Sequence, residues 1–477
     1  MLHKTRSFQQ VITQYILDED NAEQFSEFGA VLEKTGLFNL LAVRGPYTVF
    51  VPNNEAMAKY YAELNVNSHE DISLDQLSRL VLNHVVAFQY ESSGIGLGAL
   101  NDTNAIGNYI STELPGSDII VDKKAKIIDR DVICANGVIH VIDNVLAPVE
   151  DDVYTYLSKL DGYSIFTQGL ERTGLMDTLQ LKSFKYGSGY ARTRFTILAV
   201  HDTLYQNLGI NSIDDLINEY TTESDKITEM ENGFYRYMEY HCLAGTYFLN
   251  ALTTRLYPVL SYDNTISVRI AEDYKINLNS ETDEYVGFLL NHSNFSANNG
   301  VIHTINDALP VIQPEPMEVT YETTDFFDFE QGDYFKLKQY AKFGPDEGLT
   351  RFEKIKWGGN FLQYYYKDHD AFPILGYDAL NMNGYWWIEV TFPKVMKGKY
   401  ALYAYVLTGG DMTDCITYID GELLDEPFRM RDPAGGAKEV FITNVEWETT
   451  SEHSVRFVAI NSSTIFWDYV RFEPILD

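Results

Sequence analysis

The chain has 477 residues, 36 Lys and Arg against 69 Asp and Glu, and 14% aromatic residues, enough for about three domains of ~150 residues with a core each. The formal charge of −33 repels nucleic-acid phosphates and disfavours flat adsorption to an anionic bilayer, so nucleic acid is excluded as a partner and membrane attachment has to come from a lipid anchor. No stretch reaches the ~18 consecutive apolar residues of a membrane-spanning helix. Met1 to Asp20 lacks the apolar segment and cleavage site of a signal peptide, which leaves a cytoplasmic protein or one whose targeting segment lies outside this sequence. Cys134, Cys242 and Cys415 lie far apart; they read as buried free thiols and favour a cytosol or a bacterial surface over a disulfide framework.

In chain order, Leu32-Glu33-Lys34-Thr35-Gly36-Leu37 returns as Leu170-Glu171-Arg172-Thr173-Gly174-Leu175. Tyr47 to Val51 is echoed by Phe195 to Ala199, and Asn136-Gly137-Val138-Ile139-His140 by Asn299-Gly300-Val301-Ile302-His303. Three blocks in the same order mark a tandem of whole domains, and the growing separation between copies means that the second carries insertions. Each copy mixes helical spacing, as in Leu74 to Phe88, with short β-branched runs that read as strands, so the unit is α+β. The two Asn-Gly pairs read as hairpin turns in which both residues tolerate positive φ.

Gln313-Pro314-Glu315-Pro316 is a stiff spacer. From Met317 onward the runs are short and alternating, separated by Gly, Pro, Asp and Asn, as in an all-β sandwich of jelly-roll type. The expected domains are therefore 8–150, 151–312 and 317–477.

The repeated blocks resemble the fasciclin (FAS1) domain. Thr48-Val49-Phe50-Val51-Pro52-Asn53-Asn54-Glu55-Ala56 and Asn136 to Leu146 match its two boxes, and Asn83-His84 takes the place of its intervening histidine. Copy two departs from the pattern with Val200-His201 in the first box and Asn306 in the second, which puts a binding role there in doubt; His241 supplies its intervening histidine. The resemblance covers roughly Phe8 to Ile312. Tandem fasciclin domains followed by a β-sandwich with few cysteines are similar to surface lipoproteins of Bacteroidetes-type gut bacteria that take part in polysaccharide utilisation. That resemblance implies a lipid anchor at the outer membrane. The ending Phe466-Trp467-Asp468-Tyr469-Val470 is similar to the last strand of carbohydrate-binding jelly rolls.

His140 and His303 alternate with apolar neighbours and read as hydrogen-bonded framework residues, and Asn53 or Asn54 as a helix cap. The loops Lys367-Asp368-His369-Asp370 and Asp411-Met412-Thr413-Asp414 would suit a calcium ion, and no other cofactor is expected. Catalytic signatures are missing from the sequence, so the expected protein is not an enzyme. All five tryptophans fall after Met317. Alternation from Tyr385 to Phe392 places Trp386, Ile388, Val390 and Phe392 on one face and Tyr385, Trp387 and Glu389 on the other. Along Ile465 to Phe472 the same reading sends Phe466, Asp468, Val470 and Phe472 inward and Trp467, Tyr469 and Arg471 outward. The candidate glycan contacts are Trp387, Tyr385, Trp357, Tyr364, Tyr365, Tyr366 and Trp467, since planar rings suit the C–H faces of sugars. The expected function is non-enzymatic binding or adhesion at a cell surface with a glycan as partner. A protein partner in an outer-membrane complex is the rival, and a glycan-active enzyme with a hidden carboxylate pair a third.

Overall fold

The computed structural model describes residues 10–475 apart from 44, 187–188, 262–263, 327–339, 344–352, 360, 367–373 and 375–377. Contacts divide the chain into two units. One holds Met1–Leu252, Val259–Tyr262 and Val286–Val311; the other holds Thr253–Pro258, Asp263–Tyr285 and Ile312–Asp477.

The first unit contains the two repeats, each of mixed α and β content. In the first, Tyr47–Pro52 runs parallel to Gly137–Ile142, which pairs antiparallel with Ala125–Cys134. In the second, Phe195–Val200 runs parallel to Gly300–Ile305, which pairs antiparallel with Phe295–Ala297. The repeated Thr-Gly block ends the helices Ala22–Thr35 and Ser164–Thr173, where Gly36 (φ 69°) and Gly174 (φ 81°) adopt the left-handed cap conformation.

The Asn-Gly pairs work differently from a positive-φ turn, for neither asparagine has positive φ. Asn136 Oδ1 accepts from the Ile12 N–H at 2.9 Å and its Nδ2 donates to the Leu41 carbonyl at 2.7 Å. Asn299 Oδ1 accepts from the Val153 N–H at 2.9 Å and its Nδ2 donates to the Leu179 and Leu181 carbonyls, both at 2.8 Å. Ile12 and Val153 each open a helix, Ile12–Ile16 and Val153–Ser158, so the amide ties a helix start to the turn. The following glycine is required by close approach, at Gly137 in addition to a φ of 151°. A Cβ on Gly137 would lie 2.1 Å from the Tyr47 carbonyl oxygen, and one on Gly300 2.1 Å from that of Phe195.

The repeats also meet inside this unit. Asn250 pairs both ways with the Ala99 backbone, accepting at 3.1 Å and donating at 2.8 Å, and Tyr109 packs on Phe248 with ring centres 5.4 Å apart.

The second unit is all-β. One sheet runs Tyr340–Phe343, Leu362–Tyr366, Asp378–Gly384, Ser463–Pro474, Gly398–Thr408, Gly436–Trp447, and the other Ile355–Gly359, Trp386–Val395, Ser451–Ala459, Cys415–Ile419, Glu422–Leu423. Both line one core, in which Trp357, Trp386, Phe392, Phe457, Trp467 and Phe472 are buried. A third sheet, Arg255–Pro258, Thr265–Ile270 and Tyr274–Ile276, comes from the stretch that lengthens the second repeat. Its Leu256 joins the same core as Met317, Val319 and Tyr321, so sequence residues between the second repeat's own boxes serve the C-terminal unit.

Asn299 is 1% exposed, and replacing it by alanine strands one buried N–H and two carbonyls. Asn299→Ala is expected to cost about 3 kcal/mol in chemical denaturation, against a few tenths for an exposed asparagine such as Asn461.

Candidate functional site

The polar residues of the repeated boxes are spent on the framework. Thr48 Oγ1 donates to the Phe88 carbonyl and accepts from the Tyr90 N–H, both at 2.7 Å; Thr196 does the same with Gly245 at 2.8 Å and Tyr247 at 2.9 Å. His140 Nε2 meets the Tyr90 carbonyl at 2.8 Å and its Nδ1 the Asp131 N–H at 3.4 Å, while His303 meets Tyr247 at 2.9 Å and the Asn294 N–H at 3.2 Å. His84 and His241 each cap a helix, bonding the carbonyl four residues back through Nδ1 and accepting from Leu146 or Leu309 N–H through Nε2. A ring nitrogen that faces an N–H has to be the unprotonated one, so all four rings are neutral with fixed tautomers. Burial pushes His84, His241 and His303 down to about 4, and lowers His140.

The departures in copy two preserve these contacts. Asp143 Oδ1 accepts from the Lys126 N–H at 2.8 Å, and Asn306 Oδ1 accepts from the Gly287 N–H at 2.8 Å. Asn53 caps the helix Asn54–Glu63, and His201 caps Asp202–Asn207. Asn54 braces the helix Ala22–Thr35 through Glu27 N, and Asp202 braces Ser164–Thr173 through Ser164 and Ile165 N.

The three cysteines are buried and unpaired, and burial pushes the Cys134 thiol up to about 12. Of the two loops considered for calcium, Lys367 to Asp370 lies outside the described residues. In the other, Asp414 accepts from the Arg431 N–H at 3.3 Å. Among the described residues no group of three or more His, Cys, Asp or Glu is placed to hold a metal ion.

The aromatic candidates separate sharply. Trp386, Ile388, Val390 and Phe392 are buried and Trp387 and Glu389 half-buried, as alternation requires. Trp357 is 2% exposed, facing the core with Ile355, and Tyr364 is fully buried with its hydroxyl on Asp378 Oδ2 at 2.8 Å; neither can meet a ligand. The assignment for Trp467 is also corrected, for it is fully buried, 4.8 Å from Phe457 between ring centres. The cause is a β-bulge. Ala404 faces Val470 and Val406 faces Trp467, so Asp468 and Tyr469 together oppose Tyr405, and the inward phase changes across them. Phe466 is half-buried on the outer face, packed edge-on against Tyr365 at 5.2 Å. Tyr366 lies in the strand Leu362–Tyr366, with its side chain outside the described residues.

What remains is the outer face of the sheet that carries Trp387. Tyr385, at the bend before this strand, is 70% exposed. The Trp387 indole leans over Gly358, whose Cβ would lie 2.0 Å from its Nε1. The Arg456 guanidinium lies over that indole at 4.2 Å and 5.5 Å from the Tyr418 ring centre. Sequence reasoning missed Arg456 and Tyr418, although an arginine between buried Val455 and Phe457 in an alternating run has to point outward. This face offers an open ring at Tyr385, an indole with one side taken by a guanidinium, and Lys356 and Glu389 in the same cross-strand row as Arg456. A separate groove of about 550 Å³, lined by Thr254, Arg269, Ser280, Glu315 and Met317 among others, has no aromatic side chain among its described lining residues.

The model of the Fasciclin domain matches residues 23–148 and 161–311. This chain belongs to the fasciclin family. It is 32% identical over 130 residues to Protein sll1483 of Synechocystis sp., covering 26% of this chain and 68% of that protein. To Stabilin-2 of Mus musculus it is 27% identical over 221 residues, covering 43% of this chain and 8% of that one. To Transforming growth factor-beta-induced protein ig-h3 of Sus scrofa it is 30% identical over 146 residues, covering 30% and 20%. The fasciclin chain thus spans a small part of these two animal relatives. Among solved structures it is similar to a FAS1 domain pair from the insect cell adhesion molecule Fasciclin I, at 18% identity over 60% of this chain and 93% of that one with a TM-score of 0.27. It is similar also to a family 35 carbohydrate binding module from Clostridium thermocellum, at 15% identity over 33% and 98% with a TM-score of 0.19.

The four buried histidines of the repeats have folded pKa values below the unfolded ~6.5, so their stabilisation is complete above that value and is lost as pH falls toward about 4, by ~3 kcal/mol for each histidine moved to about 4. Burial raises Asp122 to about 6 and Glu239 to about 7; their stabilisation is present at low pH and lost on rising through those values, which offsets part of the effect. With four histidines against two carboxyls, the thermal midpoint of the fasciclin unit is expected to fall between pH 6.5 and pH 4, and calorimetry across that window checks it. Trp467→Ala is expected to cost ~3–5 kcal/mol, read by denaturant unfolding, as a core tryptophan should and a ligand-facing one should not.

Proposed function

We propose that this fasciclin-family protein is a non-enzymatic binding and adhesion protein of the bacterial cell surface. It is held at the outer membrane by a lipid and binds an extracellular glycan through the outer face that carries Tyr385 and Trp387, as part of a polysaccharide-utilisation system. The observation that carries the reading is the exposed Tyr385 two residues before Trp387, whose indole carries the Arg456 guanidinium. An open ring supplies a surface for the C–H face of a sugar, and flanking charged groups address its hydroxyls. The fasciclin domain occurs in cell-adhesion proteins, which agrees with an adhesive or spacing role for the first unit. The charge of −33 agrees with attachment by lipid and not by basic side chains.

Affinity electrophoresis of the full chain through polysaccharide-containing gels tests this. Tyr385→Ala is expected to reduce retention about tenfold, ~1.4 kcal/mol, with an unchanged thermal transition, and Trp387→Ala to reduce it at least as much. Retention unaltered in both variants removes this face from the site. Capture of a surface protein through the same face, with no polysaccharide retained, favours the protein-partner alternative.

A further inference from the structure

On the face that carries Trp387, a guanidinium lies on an indole and, among the described residues, is paired with no carboxylate. Arg456 Nε is buried and has no hydrogen-bond partner, and among the described residues its guanidinium forms no ion pair, only the contacts to Trp387 and Tyr418. In a chain with 69 acids and 36 bases carboxylates are abundant, and the other sheet of the same unit uses them: Arg471 is paired with Glu439 at 2.7 Å, Glu473 at 2.9 Å and Glu318 at 3.2 Å. Arg456 lies in a row whose register is Lys356, Glu389, Arg456, Tyr418 across four strands. That row holds two positive charges to one negative, in a protein whose net charge is −33.

A guanidinium laid on an aromatic face is held flat, with its N–H edge left for a planar, bidentate anion. A carboxylate fits that edge with two parallel hydrogen bonds, which a neutral hydroxyl cannot supply. Trp387 thereby acts as the plate that positions Arg456, and Tyr385 remains the open ring. We propose that the saccharide bound here is acidic, carrying a uronate carboxylate that pairs with the guanidinium of Arg456. The proposal rests on the glycan-binding reading above.

Titration calorimetry of the full chain with polygalacturonate, alginate and glucuronoxylan, each beside its carboxyl-reduced form, tests it. At least one uronate polymer is expected to bind tenfold or more tightly than its reduced counterpart, with a preference that weakens as salt rises. Arg456→Gln is expected to bring the two affinities together, and Arg456→Lys, which keeps the charge and loses the fork, to restore only part of the difference. Equal affinity of the wild-type chain for the acidic and reduced forms, or a preference that survives in Arg456→Gln, overturns the proposal and leaves glycan binding standing. Binding to no polymer in either form overturns both readings. The wild-type comparison decides the matter even if the variants fail to fold.

Discussion

A carbonyl oxygen standing 2.1 Å from where a side chain would begin at Gly137, and another at the same distance from Gly300, set the geometry of the fasciclin unit. The strands Tyr47–Pro52 and Gly137–Ile142 approach in parallel only because that first residue has no Cβ, and the pairing continues in register to their ends. With the register fixed, Thr48 reaches the Phe88–Tyr90 backbone, and His140 reaches Tyr90 from the neighbouring strand. The second repeat rebuilds the arrangement from Thr196, Tyr247 and His303. Buried polar groups in so crowded a place have to be satisfied together, since a half-satisfied network costs more than an apolar one.

The two repeats show which part of this chemistry is constrained. An aspartate at 143 and an asparagine at 306 both offer one oxygen to a backbone N–H and do the same work. Asn53 and His201 likewise share only the ability to accept a bond at a helix start. What persists between the repeats is an acceptor at a given place, with its charge and its residue type free to vary. The departures that cast doubt on a binding role in the second repeat are thus explained by the framework itself.

The tandem repeat, the mixed α and β content of each copy and the all-β character of the end were legible because box order and periodicity report them directly. So was the inward row from Trp386 to Phe392, an unbroken strand. Trp467 was misplaced because strict alternation cannot see a bulge, yet the signal was present. The inward apolar residues are Ile465, Trp467, Val470 and Phe472, and the step of three in their middle marks the extra residue. Tyr364 and Trp357 were drawn in as surface candidates by composition, whereas burial depends on a register that composition does not carry. Arg456 and Tyr418 were invisible for a related reason. Arg456 meets both Trp387 and Tyr418 only because three strands distant in sequence are neighbours in one sheet.

The sheet built from Arg255–Pro258, Thr265–Ile270 and Tyr274–Ile276 gives the C-terminal unit a different genetic character from that of a bead on a string. Its Leu256 belongs to a core whose other members begin at Met317, while the strand Gly300–Ile305 between them belongs to the fasciclin unit. No single crossover point in the coding sequence separates one unit from the other intact. A module of this kind cannot be shuffled into a new protein by joining at a linker. Residues lining either core have to be inherited as one piece, so the second fasciclin repeat and the all-β unit are expected to diversify as a lineage in common.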